Sequence, residues 1–359
     1  MKRDLQFPDE RGKAMLDLEG LRRLAEECDA ALAQRQFDKA APVAVDPSST
    51  YAGIRTFLRQ ACQADFKGLD IALIGIPTDL GVTNRPGARF GPSAVREVSA
   101  IAGGPMHHVS QLVPTNLCRI ADCGDVPVSQ VYDLAELIGE IAKYYDRVKD
   151  AGVTPISIGG DHSVTYPILK ALGRDEPLGL VHIDAHCDTC GDIAGSKFHH
   201  GGPFRNAALA GVIDPRRTIQ IGIRGRAEPY WDFSYRSGMT VVHIEEVHRD
   251  GIEAIIQKTH RVIGNKPFYL SVDVDGIDPA YTPGTGTPEI GGMRPEQVQA
   301  LIRSLQGKQI VGADVVEVAP QYDTAGQTTA LVAATIMWEA LCVIADRIAR
   351  DQERGRRGA

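Results

Sequence analysis

From Asp70 onward the chain alternates between short apolar, β-branched runs and longer stretches of helical periodicity, and this alternation limits its fold more than any other feature. The runs are IALIGI (71–76), TPISIGG (154–160), LGLVHID (178–184), TIQIGI (218–223), TVVHI (240–244), PFYLSVDVD (267–275) and QIVGADVVEV (309–318). Between several of them lie helical stretches such as Tyr132–Ala151, Gly251–Ile263 and Pro295–Leu305. Strands this continuously apolar leave no face for water, so they belong in a parallel sheet covered by helices on both sides. A last helix, about Thr328–Ala349, carries an apolar face. The reading is one α/β domain without internal repeats.

The first 65 residues follow a different pattern. Leu16, Leu18, Leu21, Leu24, Ala25 and Cys28 recur at helical spacing in a charged background, which predicts an amphipathic helix. Pro42 to Thr50 reads as a linker or ordered loop. The expected organisation is an N-terminal extension (1–65), an α/β domain (66–350) and a solvated basic tail (351–359). The extension packs on the main body or on a neighbouring subunit, or else stays a partly mobile arm.

Composition narrows the partners. A net charge of −7 over 359 residues gives no reason to expect nucleic acid or an anionic membrane. It agrees with a small cationic substrate and equally with a neutral one. No apolar run approaches the roughly 20 residues of a membrane span. The start, MKRDLQFPDERGKAMLDLEG, lacks the apolar core of a signal peptide, so a cytoplasmic protein is expected. Seven scattered cysteines do not make a disulfide framework. Cys187 and Cys190 have CxxC spacing, but no second pair accompanies them, and they read as free thiols.

The chemistry lies at strand ends. Three of the runs lead into Gly159-Gly160-Asp161-His162-Ser163, Asp184-Ala185-His186-Cys187-Asp188 and Asp273-Val274-Asp275-Gly276-Ile277-Asp278. Open parallel sheets bind ligands beyond the carboxyl ends of their strands, so these segments would share one crevice. Residues at i, i+2 and i+4 of an extended segment point the same way, which groups Asp184 with His186 and Asp188, and Asp273 with Asp275. Carboxylates crowded in this way repel one another unless cations neutralise them. Mostly oxygen donors with some imidazole suit Mn, Ni, Fe or Zn. Each piece alone has a plainer reading: DxHxD as a surface acidic loop, and Asp161 as a helix N-cap. Three such ends together favour a metal site.

These residues resemble the ureohydrolase family, which includes arginase, agmatinase and the guanidino-acid hydrolases. The resemblance spans about Asp70 to Asp346 and rests on Gly75-Ile-Pro, Arg89-Phe-Gly-Pro-Ser-Ala-Val-Arg96, Gly124-Asp-Val, GGDHS and DAHCDT. It continues through HHGGPFRNA (199–207), QIGIRG (220–225), SVDVDGIDPAYTPGTGTPEIGG (271–292) and DVVEVAP (314–320). It implies a three-layer α/β/α sandwich with a mainly parallel sheet of about eight strands. It also implies two divalent ions, Mn or Ni. One would be held by His162, Asp184, Asp188 and Asp273, the other by Asp184, His186, Asp273 and Asp275. Two such ions lower the pKa of a shared water, and hydroxide attack on the guanidinium carbon releases urea. Glu317 resembles the family's guanidinium-binding glutamate, since a carboxylate accepts two parallel N–H donors. His200 resembles its proton shuttle, with His199 the competing choice by one residue. Thr287 is placed at the substrate nitrogen, His182 in the core, and Asp278 in loop organisation.

Substrate identity is the finer question. Cys190-Gly191-Asp192-Ile193 does not reproduce the stretch that reads arginine's amino acid end in arginase. Gly202 and Asn206 stand where the guanidino-acid branch commonly has threonine and arginine. We therefore expect a small guanidine compound (guanidine, an alkylguanidine or a biguanide such as metformin), with a guanidino acid or agmatine as the alternative. The resemblance further implies a homo-trimer or hexamer. Two readings of other kinds remain: a weakly active subunit supporting a paralogue in a hetero-oligomer, and a related deacetylase with a single zinc.

Overall fold

All seven apolar runs form strands in the computed structural model, which describes residues 17–37, 51–102, 106–225 and 229–358. They are β2 (Ile71–Gly75), β4 (Thr154–Ile158), β5 (Leu178–Ile183), β6 (Ile213–Ile223), β7 (Thr240–His243), β8 (Phe268–Asp273) and β9 (Ile310–Val316). Two further strands, β1 (Ala61–Cys62) and β3 (Ile120–Asp125), raise the sheet to nine where about eight were expected. β1 is too short to leave a pattern, and β3 reads IADCGD, with acids breaking its apolar run. Every pairing in the sheet is parallel.

The strand order is β1-β3-β2-β4-β9-β8-β5-β6-β7. Side chains alternate between two cores, one on each face. Ile71 and Leu73 of β2 join one cluster, while Ala72 and Ile74 join the other. Each fully buried Ile or Leu contributes about 1.5–3 kcal/mol, so a one-residue slip of a central strand would move a whole set of side chains to the wrong core. The helix Leu134–Asp150 covers the second cluster and begins at Asp133, whose side chain accepts the Glu136 amide.

Two sequence expectations need correction. The last helix runs Thr328–Gly358, through the segment read as a solvated tail. Arg347 with Asp351 and Arg350 with Asp346 are i,i+4 pairs that carry it past Ala349. Its span Thr328–Arg354 is also long and apolar enough, by length and composition, to cross a membrane, contrary to the sequence reading. Of its most apolar 18-residue window, 78% is buried within the protein. The N-terminal helix is Leu18–Phe37, and Leu18, Leu21 and Leu24 are exposed on it. Leu16 and the Pro42–Thr50 segment lie outside the described residues.

Candidate metal centre

Four contiguous central strands, β4, β9, β8 and β5, end at the same edge, and their following turns carry the acid- and histidine-rich segments. β9 lies between β4 and β8, and it brings Glu317 into the group. After β4 the chain passes so close to the segment following β2 that a Cβ on Gly160 would fall 1.6 Å from the Thr78 carbonyl oxygen. Asp161 then caps the turn, accepting the Ser163 amide at 2.9 Å and the Gly81 amide at 2.8 Å. Its N-cap reading holds, and the turn delivers His162 into the interior. After β8, Asp273 Oδ1 accepts the Asp275 amide at 2.8 Å and starts a single helical turn. Asp188 (φ 51°) and Glu317 (φ 65°) both hold left-handed backbone conformations, a strain of about 1–3 kcal/mol each for such residues.

Two loci result. At the inner one, His162 Nδ1 lies 3.2 Å from Asp184 Oδ2, 3.0 Å from Asp188 Oδ2 and 3.3 Å from Asp273 Oδ2. At the outer one, His186 Nδ1 lies 3.4 Å from Asp184 Oδ1 and 3.2 Å from Asp275 Oδ2. Asp184 thus reaches both loci with different oxygens, while Asp273 Oδ2 reaches the inner one. His162 Nε2 is engaged 2.9 Å from Ser271 Oγ, which donates to Asp314 Oδ1 at 2.6 Å. Nδ1 is left buried with no hydrogen-bond partner, facing three carboxylate oxygens.

This arrangement fits divalent cations. Ligands about 2.1 Å from a first-row ion lie about 3 Å from one another, which is the spacing seen here. The electrostatics agree. Burial and then the neighbouring Asp275 and Asp184 push the Asp273 carboxyl well above the usual carboxylate range. Burial opposes charge on His162 and His186, yet the carboxylates around them hold both rings well above the usual imidazole range. A site that holds on to protons this strongly is one where a cation relieves the crowding.

Supporting contacts orient the inner carboxylate and imidazole. His182, the expected core histidine, is fully buried and donates from Nε2 to Asp184 Oδ2 at 2.7 Å, while Gln220 donates to its Nδ1 at 3.1 Å. Sequence reasoning missed Ser271, Asp314 and Gln220, although all three are polar residues inside otherwise apolar strands. Ser271 and Asp314 are direct register partners of β8 and β9, and Asp314 also accepts Thr165 Oγ1 and the Tyr269 hydroxyl.

A cleft of about 600 Å³ opens over the loci, walled by Thr83, Arg85, His186, Asp188, Ile193, His200, Tyr230, Trp231, Asp273, Thr287 and Glu289 among others. His200 Nδ1 lies 3.0 Å from Glu317 Oε1, which also accepts the His162 amide at 2.8 Å. Glu317 is buried beneath the cleft, and its second oxygen, Oε2, has no partner. Burial lowers the His200 pKa, but Glu317 outweighs it and the ring is pushed up to about 9. His199 turns instead to the Gly191 carbonyl at 2.8 Å. Thr287 Oγ1 donates to Asp275 Oδ2 at 3.0 Å, so it is tied to the outer locus. Asp278 accepts the amides of Ala280, Gly291 and Gly292 and organises its loop as expected. The cysteines are free thiols.

The arginase family model matches residues 69–343. Guanidinopropionase of Pseudomonas aeruginosa is 49% identical over 303 residues, covering 84% of this chain and 94% of that protein. The human mitochondrial guanidino acid hydrolase is 42% identical over 296 residues, covering 81% and 83% respectively. Among solved structures, proclavaminate amidino hydrolase from Streptomyces clavuligerus superimposes with a TM-score of 0.80 at 36% identity, covering 83% of this chain and 99% of that one. With its sheet, its grouped aspartates and histidines and these relatives, the chain belongs to the arginase family of metal-dependent amidinohydrolases.

Proposed function

We propose that this chain hydrolyses the guanidino C–N bond of a small guanidine compound and releases urea. The observation that carries the reading is the buried, unpartnered Glu317 Oε2 beside two convergent carboxylate–histidine loci. His162, Asp184, Asp188 and Asp273 would hold one divalent ion, and Asp184, His186, Asp273 and Asp275 the other. Two such ions, Mn or Ni, supply a water acidic enough to attack near neutral pH. Glu317 Oε2 accepts a guanidinium N–H and fixes the plane of the group, while Thr287 holds Asp275 in place and faces the cleft. His200 carries a proton at Nε2 to the departing nitrogen, and its other nitrogen stays oriented on Glu317. Tyr230, Trp231 and Ile193 suit a compact, partly alkylated cation, and Asp188 and Glu289 give the cleft a negative wall.

A guanidino acid is the second reading, and Arg85 favours it. Its guanidinium stands at the cleft wall over the Tyr322 ring at 5.3 Å, with no carboxylate partner among the described residues. Neither Gly202 nor Asn206 lines the cleft: Gly202 packs on His199 and Asn206 binds the Lys197 carbonyl. The substitutions read against a substrate carboxylate therefore weigh less than their place beside His200 in the sequence suggests. The names of the guanidinopropionase and guanidino acid hydrolase relatives point the same way. We place the N-terminal helix (Leu18–Phe37) outside the catalytic domain, which begins earlier than residue 66 because Phe57 joins its core and β1 (Ala61–Cys62) its sheet. The exposed leucines of that helix support its use in joining three or six subunits.

The test is urea release by the purified chain, loaded separately with Mn and with Ni. The panel is guanidine, methylguanidines, metformin, 3-guanidinopropionate, 4-guanidinobutyrate, agmatine and arginine. Activity on the first three supports the proposal. Activity confined to the guanidino acids moves it to the second reading, and no urea from a doubly loaded chain rejects both.

A further inference from the structure

Thr83 approaches His200 through two groups at once. Its backbone amide donates to His200 Nε2 at 3.1 Å, and its hydroxyl lies 2.7 Å from the same nitrogen. An amide N–H only donates, so Nε2 presents its lone pair and the ring proton stands on Nδ1, toward Glu317 Oε1. The loop is pinned around this contact. Gly81 donates its amide to Asp161, the His200 amide donates to the Gly81 carbonyl at 2.9 Å, and Asn84 Nδ2 donates to the Gly286 carbonyl at 2.9 Å. The amide therefore cannot swing away, whereas the hydroxyl can rotate.

We propose that Thr83 is a positioning residue for His200, its hydroxyl switching from donor to acceptor when Nε2 gains a proton. With Nε2 unprotonated, amide and hydroxyl both donate to it. With Nε2 protonated, the amide opposes the new N–H and the hydroxyl is its acceptor on this side. Glu317, the charged group in contact with the ring, favours the protonated form, so Thr83 supplies the counterweight and the exit. Removing the hydroxyl costs the protonated ring its Thr83 acceptor, while the neutral ring keeps the amide donor. The apparent pKa of His200 then falls.

The inference rests on the proposed role of His200, and the experiment separates the two. Thr83→Val and Thr83→Ser would be compared with the unaltered enzyme, each loaded with metal and checked for equal metal content. Thr83→Val is expected to lower kcat about tenfold with KM changed less than about twofold. The His200 limb of its kcat–pH profile moves to lower pH, and Thr83→Ser restores both. Wild-type kcat and an unmoved pH profile in Thr83→Val would overturn the inference, as would failure of Thr83→Ser to restore them. A wild-type enzyme that releases no urea would instead defeat the reading beneath it.

Discussion

The two histidine loci share Asp184 but stand in opposite surroundings. His162 is sealed: its side chain is 0% exposed, its Nε2 is held by Ser271, which is itself anchored on Asp314, and Phe204 packs edge-on against it at 5.2 Å. The His186 side chain is 27% exposed at the cleft wall, with its Nε2 edge 3.7 Å from Glu289 Oε1. The inner locus is therefore oriented by neighbours before any ion arrives, while the outer one keeps a path to solvent and to substrate. From this asymmetry we expect the inner ion of a two-ion centre to be the persistent one and the outer ion the exchangeable one.

The largest break in the comparison comes from Ser271→Ala. It leaves His162 Nε2 without its oxygen partner and unhooks the ring from Asp314. Losing a supporting contact of this kind typically weakens metal affinity about 10–100-fold. Metal titration of the variant should show that loss at the inner locus, with the outer one little changed. A smaller effect is expected from Gly225→Ala. A Cβ there would lie 2.7 Å from His186 Cδ2 and 2.9 Å from its Nε2, so the ring must shift. We expect the outer ion to be held about tenfold more weakly and the inner one to be unaffected, as read by stepwise loss to a chelator. Equal losses at both loci in either variant would collapse the distinction.

The sheet was legible because its strands are apolar throughout and its helices keep a 3.6-residue period, two signals that depend on nearest neighbours along the chain. The ligand-bearing turns were legible because each follows such a strand, so topology gathers them at one edge. β1 and β3 escaped because two residues, or a strand ending in acids, leave no such pattern. The placement of β9 between β4 and β8 escaped because strand order depends on contacts between distant segments. Ser271 and Asp314 were visible as polar interruptions, but their pairing needs the register of two strands. Thr83 carried no signal at all, since its meeting with His200 joins residues 117 positions apart. Gly202 and Asn206 follow His200 closely in sequence yet pack on His199 and the Lys197 carbonyl, since nearness along the chain is not nearness to the cleft.

The most direct test of the account is to strip the protein of metal and add Mn or Ni back stepwise, counting bound ions and urea release on the same samples. The account predicts two ions per chain, with urea appearing only as the second equivalent binds. Full activity at one equivalent, or urea from the metal-free chain, would contradict it.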